Sequence, residues 1–481
     1  MEFLWVLNAY LQSRGEAWVV GGALRDRLLG FPINEIDLVL NFSPKHLPAS
    51  LWQKAGAKTF WLDQERQILR AIFPAGQTLD FGPLQGQNIL ADLAGRDFTV
   101  NAMAQTLSDW LQGQDALVDP WHGQGDLAAR RLRLVSTEAL RDDPIRVLRG
   151  VRLMLEKGLS IDRATAAAME ETAPLLAHSP AERIMAELSL IFLHARAPAG
   201  LAYLDQIEVT RSLFPEVIAM NQVTQNKYHQ FTVGEHSHRA FAAFVSIVHA
   251  GRYLPIKAQA WFRDYWLQLT PPQQVAAMLA AWLHDIGKPV TRAVRQGRVA
   301  FYDHETVGAK MARDIAQRLK LSSAQTDLLA AVVRLHMYPM QLWRTGKLGP
   351  RLIHRFYQRA GQYGPLIVVF TLADHLAKGE NVAVSEEFAA HREMVVTFLE
   401  AYFCHYDEVV KPKPLLDGHA MQGIAQRGAG PWLRQARQQL LEAQVAGKVQ
   451  TQEQAIAWFQ QWLQANPLHA HAGIKKHSPH K

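Results

Sequence analysis

The sequence predicts an α+β protein whose strands are confined to its N-terminal part. Strand-like segments occur before about residue 137, among them EIDLVL, KTFWL, QILRAIF and QTLDF, and VNAMAQTL joins the same sheet. From about residue 138 onward, apolar residues recur every three or four positions, which is the period of an amphipathic helix. We therefore expect a small N-terminal domain with a mixed β-sheet, followed by domains that are all helical.

The length and composition indicate a globular protein of several domains. The chain has 481 residues, 48% of them hydrophobic, which is too long for one ordinary domain. Its single cysteine, Cys404, excludes a disulfide framework and favours a reducing, cytoplasmic compartment. We expect no signal peptide and no membrane partner, because the N-terminus lacks a basic segment and no apolar run reaches the roughly 20 residues of a span. The net charge of +7 and the pI near 9.4 are compatible with a polyanionic partner.

The segment VVGGALRDRLLGFPI, which begins at residue 19, has the features of a phosphate-binding turn. Gly21 and Gly22 allow a ligand to approach the backbone closely, with amides free to bind phosphate oxygens. Arg25 can pair with a phosphate, and we expect Asp26 to orient that arginine. We interpret the surroundings as strand, loop and strand.

Two acids, Glu35 and Asp37, alternate along the next strand and so point to one face of it. A third acid, Asp80 in TLDFGPL, lies on another strand that can run beside them. Three carboxylates form a hard oxygen site that suits Mg²⁺. Mg²⁺ beside a phosphate-binding turn indicates phosphoryl or nucleotidyl transfer. For an isolated E-x-D pair, a solvated edge strand is the alternative interpretation.

Five segments resemble, in order, the motifs of the class II tRNA nucleotidyltransferases (CCA-adding enzymes) and bacterial poly(A) polymerases. They are GGALRDRLLG with EIDLVL, then GRDFTVNAMA, LVDPWHGQGDLAARRLRLV, DDPIRVLRGVRL and PAERIMAEL. The resemblance implies a nucleotidyltransferase head and a helical neck and body that select the nucleotide and bind RNA. It implies addition of C or A to the 3′ end of tRNA, with CTP and ATP as substrates and Mg²⁺ in the head.

The resemblance also implies which further residues bind the nucleotide. In the second motif, Arg96, Asp97 and Asn101 would serve the triphosphate and the sugar. In the fourth, Asp143 and Arg146 are three positions apart on a predicted helix, hence on one face. In the family such a pair is an amino-acid template that selects C or A, whereas an ordinary surface ion pair is the alternative. Arg149 continues the same face and would meet the triphosphate or the tRNA backbone.

The chain departs from the family pattern in several places. Glu35 stands where the family has Asp, Asp142 where Glu is usual, and Gly95 where a second Arg is usual. The segment between Asp80 and Arg96 is short, although in CCA-adding members it is a longer flexible loop linked to the switch from C to A. We therefore expect efficient addition of C and poor addition of A.

The second helical block contains an ordered set of histidines and aspartates. Imidazoles and carboxylates on several helices can converge in a bundle core around one or two divalent metals. An adjacent His–Asp pair inside an apolar run is costly to bury unless it is paired or metal-bound. The predicted metal ligands are His236, His284, Asp285, His304, His336 and Asp374. Lys288 can meet a phosphate, whereas His229 and His238 fall outside the pattern.

This set resembles the HD phosphohydrolase domain, with HDIGK as its most recognisable segment. The resemblance implies a divalent ion, Mg²⁺, Mn²⁺ or Ni²⁺, and hydrolysis of a phosphoester by a metal-activated water. In bacterial CCA-adding enzymes it further implies phosphatase and 2′,3′-cyclic phosphodiesterase activity at RNA ends.

We therefore predict four domains and one principal function. The domains are a nucleotidyltransferase head over 1–137, a neck and body over 138–223, an HD domain over 224–400, and a helical tail with a disordered basic end over 401–481. The function is nucleotide addition to tRNA with an attached HD activity. Two alternatives remain open: an HD phosphohydrolase whose head has become a nucleotide- or RNA-binding module, and a poly(A) polymerase. No feature of the sequence indicates an oligomeric state.

Overall fold

The structure, a computed structural model, describes residues 2–12, 14–224, 231–296, 298–346 and 348–466. The chain divides into two compact units, residues 1–218 and 219–481. His229 and the basic end of the predicted tail lie outside the described residues. Among the helices that are described, none combines the length and the apolar character needed to cross a membrane.

The first unit begins with a six-stranded mixed sheet, which confirms the predicted fold class. The strands are β1 Ala17–Val20, β2 Glu35–Leu40, β3 Lys58–Asp63, β4 Ile68–Ile72, β5 Thr78–Pro83 and β6 Ala104–Thr106. Their order is β3-β4-β5-β2-β1-β6. Strands β2 and β5 run parallel, and every other neighbouring pair is antiparallel. The helices of this region are α1 Glu2–Leu11, α2 Gly22–Leu29, α3 Ala49–Lys54, α4 Ile89–Ala94, α5 Leu107–Gln112 and α6 Gly123–Ala128.

Strand β2 has its two acids near its exposed beginning and its buried apolar residues at its end. Its residues change from exposed at Glu35 to fully buried at Leu38 and Leu40. The segment before it was interpreted as a loop, which is wrong. Helix α2 joins β1 to β2 and ends at Gly30, whose left-handed backbone suits glycine.

The remainder of the first unit is almost entirely helical. Its elements are β7 Arg131–Leu132, α7 Glu138–Asp142, α8 Ile145–Lys157, β8 Ser160–Ile161, α9 Arg163–Thr172, α10 Ala181–Phe192, α11 Ala197–Gln206, α12 Val209–Leu213 and α13 Pro215–Asn221, the last of which continues into the second unit. Helix α8 buries Val147, Val151 and Leu155 and packs on α10 and α11. Pro180 occupies the N-cap position of α10, and this cap has no side-chain hydrogen bond.

The second unit is a helical bundle followed by three helices of the tail. The elements are α14 Val233–Ala250, α15 Ile256–Gln268, α16 Pro271–Leu283, α17 Lys288–Thr291, β9 Arg292–Arg295, β10 Arg298–Phe301, α18 His304–Arg318, α19 Ser323–Leu335, α20 Tyr338–Arg344, α21 Pro350–Ala360, α22 Gly364–Leu376, α23 Glu386–Cys404, α24 Gly418–Ala425, α25 Pro431–Val445 and α26 Gln452–Ala465. The hairpin β9–β10 is a departure from the predicted all-helical HD domain.

The tail helices have a core of their own, which contains Trp432, Phe459 and Trp462. Helix α25 is also tied to α21, because the buried Glu442 accepts hydrogen bonds from Arg351 and Arg355 at 2.7–2.8 Å. A buried carboxylate with two guanidinium partners is satisfied, and this contact fixes where the tail packs on its unit.

Candidate active sites

The three predicted acids of the head meet on one face of the sheet. Glu35 and Asp37 alternate along β2, and Asp37 lies directly beside Asp80 of β5. Arg70 of β4 lies on the other side of Asp80. It donates to Asp80 through Nε at 2.8 Å and Nη2 at 2.6 Å, and its Nη2 also contacts Glu35. An arginine that sequence analysis did not find therefore lies between two of the acids.

Asp37 differs from the other two acids because it has no ion pair with Arg70 among the described contacts. Burial raises the pKa of Asp37 to about 6, and the Asp80 and Glu35 charges add to this although the Arg96 charge opposes it. A carboxylate in such surroundings is stabilised by a nearby cation. Carboxylate oxygens are the ligands that Mg²⁺ prefers, so the donor set fits this ion.

The glycine pair brings the backbone over these acids. Gly21 is the N-cap of α2 and has φ 68°, and a Cβ there would lie 3.1 Å from Arg96 Nη1 and 3.2 Å from Asp37 Oδ2. A Cβ on Gly22 would lie 3.3 Å from the Arg25 guanidinium. The first amides of a helix have no acceptor within it and attract anions. The turn therefore places backbone amides that can accept an anion next to Asp37.

A chain of polar contacts, buried at Arg25, Asp97 and Asn101 and exposed at Arg149, connects four of the predicted nucleotide-binding residues. Arg25 donates to Asn101 Oδ1 at 2.7 Å and to Asp26 Oδ1 at 2.8 Å. Asn101 donates to Asp97 Oδ1 at 3.0 Å, and Arg149 Nε lies 3.0 Å from Asp97 Oδ2. Burial acts to raise the pKa of Asp97, but Arg149 and Asn101 hold it below its usual value. The network gives both arginines polar partners, and it holds Arg25 beside Gly22.

Arg96 is held by a residue that sequence analysis missed. Asp92, buried on α4, accepts from Arg96 Nε at 3.2 Å and Nη2 at 3.0 Å. The other oxygen of Asp92 accepts from the backbone N–H of Gln85 at 3.0 Å. One carboxylate thus ties Arg96 to the short segment that follows β5.

The predicted pairing of Asp143 and Arg146 on one helical face is wrong. Asp143 has extended backbone, φ −146°, between α7 and α8, because the following Pro144 disfavours helical geometry at the residue before it. Its Oδ2 accepts from Arg183 Nη2 at 2.7 Å. Arg146 instead donates to the carbonyl oxygens of Ala139 and Gly95, both at 3.0 Å.

In the second unit, all six predicted metal ligands converge. The His236, His284 and Asp374 ligand atoms lie within 4.8 Å of one another, as do those of His284, Asp285 and His336. The shortest contacts are His236 Nε2–Asp374 Oδ1 at 2.9 Å, His284 Nε2–Asp285 Oδ2 at 3.3 Å, His304 Nε2–Asp285 Oδ1 at 3.4 Å and His336 Nε2–Asp285 Oδ1 at 3.6 Å.

The backbone orients three of these imidazoles. Each Nδ1 lies within hydrogen-bond distance of the carbonyl oxygen three positions earlier, and the pairs are His284–Ala281 at 3.1 Å, His304–Phe301 at 2.9 Å and His336–Val333 at 2.9 Å. A neutral histidine that donates from Nδ1 has its lone pair on Nε2. Within the described residues, these three Nε2 atoms are buried and have no hydrogen-bond partner. The arrangement fits a divalent cation, since such carbonyl contacts orient metal-binding histidines.

The charges of the cluster also favour a cation. Burial acts to raise the pKa of Asp285, but Lys288, whose Nζ lies 2.5 Å from Oδ2, and His284 hold it well below its usual value. Burial lowers the pKa of His284, but the Asp285 and Asp374 charges outweigh it and raise the pKa to about 9. A bound cation takes the place of the proton that these carboxylates attract.

A close contact of two chain segments assembles this cluster. A Cβ on Gly287 would lie 2.2 Å from the His304 carbonyl oxygen and 2.7 Å from the Gly308 nitrogen. Glycine therefore lets the segment after Asp285 pack against the start of α18, which brings His304 to Asp285. The ring of His238, expected to lie outside the site, stacks on Trp282 instead.

Three family models match separate segments of the chain. Family models described as "Poly A polymerase head domain", "Probable RNA and SrmB- binding site of polymerase A" and "HD domain" match residues 17–85, 158–220 and 257–379. Among solved structures, the chain is similar to the Thermotoga maritima CCA-adding enzyme complexed with tRNA, with a TM-score of 0.60 and 18% identity over 96% of this chain and 93% of that one. A CCA-adding enzyme in complex with CTP gives a TM-score of 0.64, 18% identity and coverage of 96% and 98%. These similarities show the fold.

Sequence relatives extend over nearly the whole chain. The A-adding tRNA nucleotidyltransferase of Deinococcus radiodurans is 31% identical over 94% of this chain and 96% of its own. The CC-adding tRNA nucleotidyltransferase of Thermus thermophilus is 30% identical over 93% and 94%. With relatives of this similarity along their full lengths, and with the head acids and the HD cluster both assembled, the chain belongs to the tRNA nucleotidyltransferase family.

Proposed function

We propose that the first unit transfers a nucleotide from CTP or ATP to the 3′ end of tRNA. The observation that supports this most strongly is the placement of Asp37 beside Asp80, directly under the amides of the Gly21 turn. Mg²⁺ held by Asp37, with Glu35 and Asp80 as further ligands, would neutralise charge on the triphosphate and polarise the phosphoryl group that is attacked.

The residues of the chain have distinct parts in this proposal. The first amides of α2 bind phosphate oxygens, and Arg25 and Arg149 add positive charge from a network that holds them in place. Arg96 reaches the same turn from its anchor on Asp92. These donors are held before the ligand arrives, so little reorganisation is needed at the moment of reaction.

The test is incorporation of labelled CTP into tRNA by the wild-type protein and by Asp37→Asn, which keeps the shape of the side chain and removes its charge. We expect the variant to lose at least about 100-fold in rate, as for other groups that stabilise developing charge. Incorporation at the wild-type rate by Asp37→Asn would refute the assignment of this centre.

We further propose that this chain adds C efficiently and A poorly. Its relatives include both A-adding and CC-adding enzymes, so relationship alone does not decide between these activities. The short segment between β5 and Arg96 supports the choice, because Asp92 fixes both Gln85 and Arg96 there. A segment held at both ends has little freedom to rearrange for a second nucleotide.

For the second unit, we propose a metal-dependent phosphohydrolase that acts on RNA ends. Its support is the convergence of six ligand side chains with three buried Nε2 atoms that lack partners among the described residues. A divalent ion, Mg²⁺, Mn²⁺ or Ni²⁺, would lower the pKa of water and polarise the phosphoester. Lys288 would add positive charge for the phosphate. We also propose a cytoplasmic location, which agrees with the single cysteine and with a tRNA substrate.

This activity is tested by the release of inorganic phosphate from RNA that ends in a 3′-phosphate, after removal of metal with EDTA and addition of each ion. We expect no release by the metal-free protein and release after addition of at least one ion. Equal release with and without metal would contradict the proposal.

A further inference from the structure

The face of the sheet that carries the head acids has exposed apolar side chains over β4 and β3. Strand register places Phe60 of β3 directly beside Arg70 of β4, and Arg70 beside Asp80 of β5. Residues opposite each other on neighbouring strands share one face, so Phe60 lies on the face of the acids. Ile72 is two positions after Arg70 on β4 and has the same face. Phe60 is 46% exposed and Ile72 40%, so apolar surface meets solvent next to the acids.

Arg70 has an unused donor on this face. Its Nε and Nη2 form the edge of the guanidinium that donates to Asp80, and Nη2 also contacts Glu35. Nη1 lies on the other edge and donates to no residue in the part of the chain that the structure describes. The side chain is 27% exposed. Two carboxylates therefore hold the guanidinium, while Nη1 remains available to an anion.

The geometry of the proposed reaction indicates what binds to this surface. In nucleotidyl transfer the attacking and the leaving oxygens lie roughly in line, on opposite sides of the phosphorus. The Gly21 turn, which binds the triphosphate in this proposal, lies on the β1 side of Asp37, and β1 and β5 flank β2 on opposite sides. The attacking hydroxyl therefore arrives from the side of Asp80 and β5. The RNA that carries this hydroxyl extends over β4 and β3.

We propose that the 3′-terminal nucleotide of the RNA acceptor lies on this surface, with its base stacked on Phe60 and its phosphate at Nη1 of Arg70. The inference rests on the nucleotidyl transfer proposed above and adds where the acceptor binds. Phe60 is three strand spacings from Asp37, about 14 Å, which is comparable with the length of one nucleotide. An aromatic ring stacks with any base, and a guanidinium held by carboxylates needs little further ordering to bind a phosphate. Such a subsite accepts acceptor ends of different sequence.

The first test substitutes Phe60 in the full-length protein and measures incorporation of CTP with Mg²⁺ at varied concentrations of tRNA. Phe60→Ala should raise the KM for tRNA about ten-fold, as for loss of one stacked base, and leave the KM for CTP unchanged. Phe60→Trp should keep the wild-type KM for tRNA, because its ring still stacks. The matched control is Trp5→Ala, which removes an exposed aromatic side chain of α1, a helix that lies against the other face of the sheet. This variant should also keep the wild-type value.

The outcomes separate this inference from the function on which it rests. A wild-type KM for tRNA in Phe60→Ala overturns the inference and leaves nucleotidyl transfer in place. An equal rise in the KM for tRNA and the KM for CTP indicates a structural role and also overturns it. A change of oligomeric state in light scattering, with the KM for tRNA unchanged, would assign the surface to a second copy of the chain instead. No incorporation by the wild-type protein overturns both.

A second test asks whether Phe60 contacts the terminal base itself. Binding is compared for two RNA acceptors, one with a base on its terminal nucleotide and one that is abasic there, in EDTA so that no transfer occurs. Loss of the base should weaken binding to the wild-type protein about ten-fold and hardly change binding to Phe60→Ala, because the partner ring is already absent. If loss of the base weakens binding to both proteins equally, Phe60 does not stack on it.

The phosphate contact is tested in the same way with a neutral methylphosphonate in place of the last internucleotide phosphate. This change should weaken binding to the wild-type protein about ten-fold, as for loss of a hydrogen bond between charged groups. It should hardly change binding to Arg70→Gln, which has already lost the guanidinium. Equal weakening of binding to the wild-type protein and to Arg70→Gln contradicts the contact between Arg70 and this phosphate.

Discussion

At the scale of single residues, Glu35 has a side chain one methylene longer than that of aspartate, and its carboxylate contacts Arg70. The added carbon–carbon bond moves the carboxylate outward by about 1.5 Å. Arg70 forms ion pairs with both Glu35 and Asp80. Among the described ion pairs, none joins Arg70 to Asp37, the third of these acids. The three acids therefore have different surroundings although they share one face.

This difference predicts unequal effects of substitution. Glu35→Asp should shorten the reach of the carboxylate to Arg70 and lower the rate of nucleotide incorporation several-fold, because Mg²⁺ tolerates misplaced ligands poorly. Asp37→Ala should abolish incorporation, because it removes a ligand altogether. The measurement is single-turnover incorporation at saturating Mg²⁺, with circular dichroism to show that each variant is folded. If Glu35→Ala incorporates nucleotides at the parent rate, Glu35 is not part of the centre.

The raised pKa of Asp37 predicts a pH dependence of metal binding. With a pKa of about 6, this carboxyl is protonated at lower pH and must lose the proton before it can bind Mg²⁺. The Mg²⁺ concentration for half-maximal incorporation should therefore rise up to about ten-fold for each pH unit below 6 and level off above it. If the Mg²⁺ concentration for half-maximal incorporation stays constant between pH 5 and pH 7, protons do not compete with Mg²⁺ for Asp37.

At the scale of elements, local sequence patterns were sufficient to predict strands of the head and the helical character of the chain from about residue 138. The segment EIDLVL coincides with β2, for example, and α8 is the first long helix after residue 138. Contacts between elements were missed, because strand register placed Arg70 opposite Asp80 and the fold placed Arg183 beside Asp143. Neither contact follows from local spacing, since ten and 40 residues separate the partners.

The break in the helix between α7 and α8 changes which residues we expect to take part in the choice between CTP and ATP. Asp143 lies between two helices and is oriented by Arg183, so we expect Arg183→Gln and Asp143→Ala both to reduce the discrimination between CTP and ATP. We expect the kcat/KM ratio for the two nucleotides to change by about ten-fold, as for loss of a charged hydrogen bond. Arg141→Gln is the matched control, because Arg141 pairs with the exposed Glu171. Unchanged discrimination in Arg183→Gln and Asp143→Ala would remove both from the selection site.

At the scale of the whole molecule, two assembled centres lie in separate units of one chain. The head acids are within residues 1–218, and the HD ligands are within residues 219–481. Sequence patterns were sufficient to find both, because each depends on an ordered set of polar residues. They were not sufficient to find a cavity of about 1070 Å³ that adjoins the HD cluster, because its wall residues come from several elements, among them β10, α18, α20 and α22.

The separation predicts that one activity can be removed without the other. The double substitution His284→Ala and Asp285→Ala should abolish phosphate release, because it removes two ligands from the cluster. Nucleotide incorporation by the same protein should remain within about two-fold of the wild type, since the two sites belong to different units and share no ligand residue. An equal loss of incorporation in a folded variant would show that the two centres depend on each other.

The most direct measurement of the central claim uses three tRNAs that end at the discriminator base, at C and at CC. Each is incubated with full-length protein, Mg²⁺ and either labelled CTP or labelled ATP, with Asp37→Asn as the inactive control. The account predicts that CTP extends the first two tRNAs, that ATP extends the third only slowly, and that Asp37→Asn extends none. Failure of the wild-type protein to add either nucleotide to any of the three would contradict nucleotidyl transfer by the head.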